Sequence, residues 1–294
     1  MNTTVPAQPV FITPRPDKFF AVVISGRAGL NHMIRALSWL VREAVFLRRT
    51  PVVLPPRLHP MHNAGHEVTA TWDQYLDLDQ VAIRLAGQVI PVVVVQRQTA
   101  IESESMPVLT VQPERTITAA ENEHYRLIIR QSAHGLRLPG VHDGLLSYPV
   151  LWTPAAGVAD RAERVIRQLG AYHAMHVRRG DRLRHKASPN LAEETEPRRI
   201  QEVLDSNLPA GAIIYIATDE SDRGFFDALR SRQRIFQFFD FPELRELVDS
   251  PAPDNFLLYA IEKIIFDRAI SRIYTFADPG GKARVSLSKD VGWS

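Results

Sequence analysis

Six consecutive residues hold the densest chemistry in the sequence: His176, Val177, Arg178, Arg179, Gly180 and Asp181. They follow an apolar stretch, residues 171–175, that reads as a strand. Side chains alternate along a strand, so His176 and Arg178 share one face and Val177 takes the other. An arginine fixed at a strand end beside a glycine turn is well shaped for two-pronged phosphate binding. Asp181 is placed to orient a guanidinium or the loop backbone. Arg182, Arg184, His185 and Lys186 extend the positive cluster. A solvated basic loop is the plainer reading of an Arg-Arg pair; the apolar strand and the glycine turn favour a site.

Positioning such a cluster requires a scaffold, and the hydrophobic pattern supplies one. Residues 19–25 form an apolar run ended by Gly26. After Gly29 a helical period places Ile34, Leu37, Val41, Ala44 and Val45 on one face, and residues 50–54 read as a second strand. Residues 55–75 read as a long loop, residues 89–95 and 108–111 as strands, and residues 121–150 as ambiguous. Beyond them, helices are expected at 160–169, 197–204, 222–231 and 255–270. Strands are expected at 171–177, 212–218, 234–239 and 272–276. Pro149 and Pro154 flank an expected hinge. Regular strand–helix alternation predicts an α/β protein with mostly parallel sheets covered on both faces. The expected organisation is two Rossmann-like, doubly wound domains, residues 1–150 and 151–294, facing a cleft. Ligands of such sheets lie near the carboxyl ends of strands.

The run from His176 to Asp181 (HVRRGD) resembles the His-x-Arg-x-(Gly/Thr)-Asp motif of the α1,6- and protein O-fucosyltransferase superfamily. Four companions occur in the same order. Ala28-Gly29-Leu30-Asn31, followed by a helix and Val52 to Pro55, is similar to the family's amino-terminal segment. Residues 71–78 are similar to its aromatic-Asp segment, Tyr215 to Asp219 to its strand end, and residues 272–284 to its closing loop. Together they span residues 19–290.

The resemblance implies a GT-B-like glycosyltransferase that takes fucose or a related sugar from a GDP-sugar and inverts the anomeric carbon. It implies no metal and no cofactor beyond the donor. On this reading Arg178 grips the β-phosphate and His176 lies near the nucleotide, with Arg179 and Asp181 in the same turn. Thr275, Phe276, Gly280 and Gly281 bring backbone amides to the phosphate, although a glycine pair also marks an ordinary turn. Asp219 either accepts the guanine N1–H and N2–H₂ donors or caps a helix near Ser221. Asn31 matches the family's cleft-facing Asn or serves as a helix N-cap. His32 stands where relatives carry Gln. The base that takes the proton of the acceptor hydroxyl stays open among His32, Asp73 and Glu67. The acceptor is a small molecule, glycan or peptide.

Composition narrows the alternatives. The chain has no cysteine, which removes disulfides, thiolate chemistry and cysteine-bound metals. With 35 basic and 33 acidic side chains it carries no global excess to attract nucleic acid or a membrane. Without the membrane anchor usual in plant and animal relatives, a cytoplasmic location is expected. Asp77-Leu78-Asp79 has the form of a metal-binding pair but is a common coincidence. His59, His62, His66 and Glu67 are interrupted by Pro60 and Gly65, which argues against a regular metal-binding helix. A sulfotransferase is the enzymatic rival, because residues 24–29 faintly resemble a phosphosulfate loop. A nucleic-acid- or glycan-binding module built on the basic cluster is the non-enzymatic rival.

Overall fold

The computed structural model describes residues 15–24, 26–85, 87–96, 107–113, 115–132, 148–184, 189–274 and 286–288. The chain divides into two compact units, Met1–Ala155 and Ala156–Ser294. No helix among the described residues is long and apolar enough to cross a membrane.

In the first unit the elements run β1 (Arg15–Ile24), α1 (Leu30–Phe46), β2 (Arg49–Val53), β3 (Leu76–Leu85), β4 (Gln88–Pro91), β5 (Val95–Gln96), β6 (Val108–Val111), α2 (Ala119–His124), β7 (Leu127–Ser132) and β8 (Val150–Pro154). A parallel sheet of order β5-β2-β1-β7-β6 stands beside an antiparallel sheet of order β4-β3-β8. Helix α1 buries Met33, Ala36, Leu37, Leu40, Val41 and Ala44. Its apolar stripe is therefore rotated from the expected one, with Met33 inside in place of Ile34.

Three expectations change here. Residues 89–95 are not one strand. Pro91 ends β4, which pairs with β3, whereas β5 joins the parallel sheet; proline lacks the N–H that a continuing ladder needs. The expected hinge at Pro149 and Pro154 is strand β8, paired with β3. Strand β3 itself escapes the periodic signal because its register shifts between Asp77 and Ala82, leaving Asp79 and Gln80 both exposed. Asp77 organises that irregularity by accepting the Asp79 N–H at 3.0 Å and the Gln80 amide at 2.8 Å.

Two buried arginines hold the first unit together. Arg130 on β7 pairs with Glu43 of α1 and donates to the carbonyls of Gln112, Pro113 and Arg115 at 2.9–3.0 Å. Arg49, fully buried, donates to Asn122 Oδ1 and to the carbonyls of Phe19, Asn122, Tyr125 and Arg126. It thereby ties β2 to β1 and to α2.

In the second unit the elements run α3 (Ala156–Leu169), β9 (His173–Val177), α4 (Pro197–Asn207), β10 (Ile213–Thr218), β11 (Arg234–Phe236), α5 (Pro242–Asp249), α6 (Asn255–Arg268), β12 (Arg272–Tyr274) and β13 (Ser286–Ser288). Their sheet has the order β11-β10-β9-β12-β13, parallel except for β13. One face buries Met175, Val177, Ile214, Ile216 and Ile273 against Ile200 and Leu204 of α4 and against Phe226 and Leu229. The other face carries α6, with α3 packed against that helix. The helix expected at 222–231 is a turn followed by a short 3-10 segment, Asp227–Ser231. There Asp222 accepts the Gly224 N–H at 2.9 Å, and this local bond competes with helix formation.

Buried on α6, Glu262 accepts a hydrogen bond from the Tyr215 hydroxyl at 2.8 Å. Burial raises its carboxyl to about 8, outweighing the bond from Tyr215.

These two buried carboxyls give separate stability tests. Glu43→Ala leaves Arg130 without its counter-charge and should cost about 3–5 kcal/mol. Chemical denaturation will show this as a lower midpoint at unchanged slope; a loss below about 1 kcal/mol would mean that the carbonyl bonds suffice. Glu262 holds its proton in the folded chain but loses it near the ordinary carboxylate range when unfolded. Its contribution is therefore full below pH 4.5 and lost as pH rises toward 8. Between pH 6.5 and 8 the loss should be on the order of 2 kcal/mol, and Glu262→Gln should flatten that part of the profile.

Candidate functional site

Strand β9 is where the second sheet reverses its winding: β10 and β11 lie to one side and β12 to the other. The carboxyl end of such a strand opens a crevice between divergent connections. In the ladder His176 stands opposite Ala217 of β10 and Tyr274 of β12, and Val177 opposite Thr218. Met175 and Val177 are buried in the core toward α4, whereas the His176 ring meets Phe266 of α6 edge-on at 6.4 Å. The alternation expected from the sequence therefore holds.

Two carboxylates from the end of β10 organise the turn after β9. Asp219 accepts the Arg179 backbone N–H at 2.6 Å and pairs with the Arg178 guanidinium at 2.9 Å. Thr218 donates its hydroxyl to the Val177 carbonyl at 2.8 Å and accepts the Glu220 N–H. Gly180 then passes so close that a Cβ there would collide with the Asp219 carboxylate, coming within 2.9 Å of its Cγ. The requirement for glycine here is one of space.

Arg178 and Arg179 diverge. The Arg178 side chain is 28% exposed beside a carboxylate of similar exposure, so the ion pair at the strand end is only partly withdrawn from solvent. Arg179 turns inward and is buried. It donates to Glu220 at 2.8 Å and to the Thr195 hydroxyl at 2.5 Å, and its guanidinium lies 4.2 Å from the centre of the Phe225 ring. Burial, reinforced by the positive charge of Arg178, lowers the His176 imidazole to about 4. At neutral pH His176 is an uncharged hydrogen-bonding group, and the positive charge belongs to Arg178.

Of the site residues expected from sequence, His176, Arg178, Arg179 and Asp219 converge on the β9–β10 strand ends. The Arg179 guanidinium is engaged inside the protein by Glu220, Thr195 and Phe225, where it braces the turn. Asp219 caps no helix, because none begins near Ser221; it fastens the Arg178–Gly180 turn instead. Asp181 lies in the short helical segment Gly180–Arg184. Thr275, Phe276, Gly280 and Gly281 lie outside the described residues, as do His185 and Lys186.

In the first unit, Gly26 turns the chain after β1 with a φ of 98°, a conformation that favours glycine. Gly29 is the N-cap of α1 and no side chain caps it, so Asn31 is not the cap. Asn31 is half-buried and His32 exposed in the first turn. Glu67 is ion-paired with Arg27. His59 accepts the Met61 N–H at 3.1 Å. Among the described residues no three His, Asp or Glu side chains converge as metal ligands.

Sequence reasoning missed the shell around Arg179. Glu220 follows Asp219 directly, and a second acidic residue at a strand end was an available signal. Thr195 and Phe225 reach the guanidinium from a helical turn (Leu191–Glu194) and from the 222–226 loop, and no spacing in the sequence joins them.

No family profile and no curated protein matches this sequence. Solved structures do match it. POFUT1 in complex with GDP aligns with 89% of this chain and 92% of its own, at 11% identity and a TM-score of 0.55. POFUT1 in complex with GDP-fucose aligns with 90% and 91%, at 13% identity and a TM-score of 0.53. The NodZ alpha-1,6-fucosyltransferase soaked with GDP-fucose aligns with 93% and 100%, at 12% identity and a TM-score of 0.49. The chain is thus a mixed α/β protein with parallel sheets that shares the fold of POFUT1.

Proposed function

We propose that this protein is an inverting glycosyltransferase that takes fucose or a related sugar from a GDP-linked donor, with no metal ion. The observation that carries the reading is the HVRRGD turn at the switch point of a parallel sheet. There one partly exposed guanidinium, Arg178, is held by Asp219, whose carboxylate also takes the Arg179 N–H. Solved structures of the same fold hold GDP and GDP-fucose, which supports GDP as the leaving group.

In the reaction the acceptor hydroxyl oxygen bonds to the anomeric carbon of the sugar. The bond from that carbon to the β-phosphate oxygen breaks, and GDP leaves with the electron pair. The acceptor proton passes to a base or to water. The largest demand is charge stabilisation on the departing diphosphate, which Arg178 meets with a preorganised pair of donors. Asp219 holds that guanidinium while the site is empty, and the arriving phosphate takes over as its counter-charge. His176, kept neutral by burial, offers a hydrogen bond to the nucleotide without repelling Arg178. Metal independence is supported by Arg178 in the charge-stabilising role and by the engagement of Asp77 within β3. Residues 151–294 carry the donor, and residues 1–150, with Asn31 and His32 at the start of α1, the acceptor side. The cysteine-free composition fits a cytoplasmic setting.

Two measurements test this. Calorimetric titration should show GDP binding, in preference to ADP, UDP and adenosine 3′,5′-bisphosphate, that survives EDTA. Arg178→Ala should lower turnover by about 100- to 1,000-fold in a folded protein. Unaltered GDP affinity in that variant would remove the clamp, and preference for the adenosine nucleotide would bring the sulfotransferase reading forward. Gly180→Ala should cost about 1–3 kcal/mol of stability by overpacking against Asp219 and weaken GDP. In an Asp219→Ala background the same change should cost far less, a non-additivity readable in a double-mutant cycle.

A further inference from the structure

Arg178 has a neighbour on α6 as well as on β10. Helix α6 covers one face of the second sheet and runs against its strands. Just past its last turn the Ile270 N–H donates to the carbonyl of Tyr172, the residue before β9, at 3.0 Å. Each turn back along α6 therefore climbs toward the carboxyl end of β9. Phe266 meets the His176 ring at 6.4 Å and the Tyr274 ring at 4.8 Å. Tyr259 lies two turns earlier on the same helical face, about 10 Å higher. Arg178 lies two residues beyond His176 on the same strand face, about 7 Å higher. The two side chains thus stand at one level above the sheet. Tyr259 is half-buried there, and Asp254 fixes the start of the helix by accepting the Leu257 N–H at 2.9 Å.

The electrostatics agree with this placement. Burial, reinforced by Asp267, holds the Tyr259 hydroxyl well above the ordinary tyrosine range, and the charge of Arg178 acts against that rise. The phenol is therefore a neutral group within electrostatic reach of the guanidinium. Asp267 belongs to the last turn of α6 and pairs with Lys263 and Arg272.

We propose that Tyr259 is a positioning residue for the donor site, its hydroxyl oxygen accepting a guanidinium N–H of Arg178. The role deepens the sugar-transfer reading and rests on it for the identity of the anion. Asp219 is a poor partner once a diphosphate arrives, because two anions then compete for one cation. A neutral hydroxyl brings no such repulsion. The guanidinium carries five N–H donors, so one can stay on Tyr259 while a parallel pair turns to phosphate. Arg178 then keeps its place while its counter-charge changes.

Two readouts on the full chain test this, the first without nucleotide. The Arg178 Nε–H resonance, identified by its loss in Arg178→Ala, reports how firmly the guanidinium is held. Tyr259→Phe keeps the ring and so the packing of α6; it should shift that resonance and speed its exchange with water. Calorimetry should then show GDP binding about tenfold weaker in Tyr259→Phe, with GMP, which lacks the β-phosphate, little affected. A tyrosine with a merely structural role would weaken both nucleotides alike. An Arg178 resonance unmoved by Tyr259→Phe overturns the inference, as does an unchanged GDP affinity or an equal loss for GDP and GMP. If the resonance moves and the unaltered chain binds no GDP, the positioning role stands and the transferase reading alone fails.

Discussion

The carboxylate of Asp219 is the joint on which the end of β9 depends. One oxygen takes the Arg179 N–H and the other the Arg178 guanidinium, and the space beside it is filled by the backbone at Gly180. A partly exposed ion pair is worth little in stability, at most about 1 kcal/mol. Its importance is geometric. It holds a long, rotamer-rich side chain in one orientation, so the entropy of ordering Arg178 is already lost in the folded chain. Parallel pairing of β9 with β10 brings Asp219 to this point, and Thr218, bonded to the Val177 carbonyl, secures the final rung.

Arginine serves two opposite purposes in this chain, and burial separates them. Arg49, Arg130 and Arg179 are buried, with their donors directed at carbonyls, carboxylates and a threonine hydroxyl. Burial, reinforced by the charge of Arg15 and opposed by Glu123 and Asp17, lowers the Arg49 pKa to about 10, which still leaves it charged at neutral pH. These three are fasteners between segments distant in sequence. Arg178 keeps part of its side chain in solvent, beside the Asp219 carboxylate. The distinction explains why adjacent arginines in one motif do different work: the pleat directs Arg178 outward and gives Arg179 to the turn, whose inward course ends on Glu220, Thr195 and Phe225.

Much of this was legible in the sequence. The parallel strands at β1, β2, β6, β9 and β10 are short apolar runs bounded by glycine, proline or charge, and a strand buried on both faces has that signature. The position of Arg178 at a strand end followed from the same reading. What failed was non-local. Strand β3 hides behind a bulge whose two consecutive polar residues break the period of two, and β8 looks like a proline-flanked linker until β3 is present to pair with it. Helix α5 is only eight residues long, from Pro242 to Asp249, too short for a periodic stripe to declare itself. Thr195 and Phe225 became visible only once the turn after β9 was closed, because partners of a buried guanidinium are chosen by folding and not by spacing.

The two units solve the same topological problem with different chemistry. Each has a parallel sheet whose winding reverses at its first strand, and each leaves a crevice at that strand's carboxyl end. In the second unit the crevice is lined by Arg178, Asp219 and a neutral His176, groups whose arrangement suits an anion that carries much charge and little apolar surface. In the first unit the corresponding place has a helix start at Gly29 with no side-chain cap and a lining of Val22, Met33, Leu37, Leu40 and Trp72. The two strand ends therefore differ in chemistry, one charged and the other largely apolar.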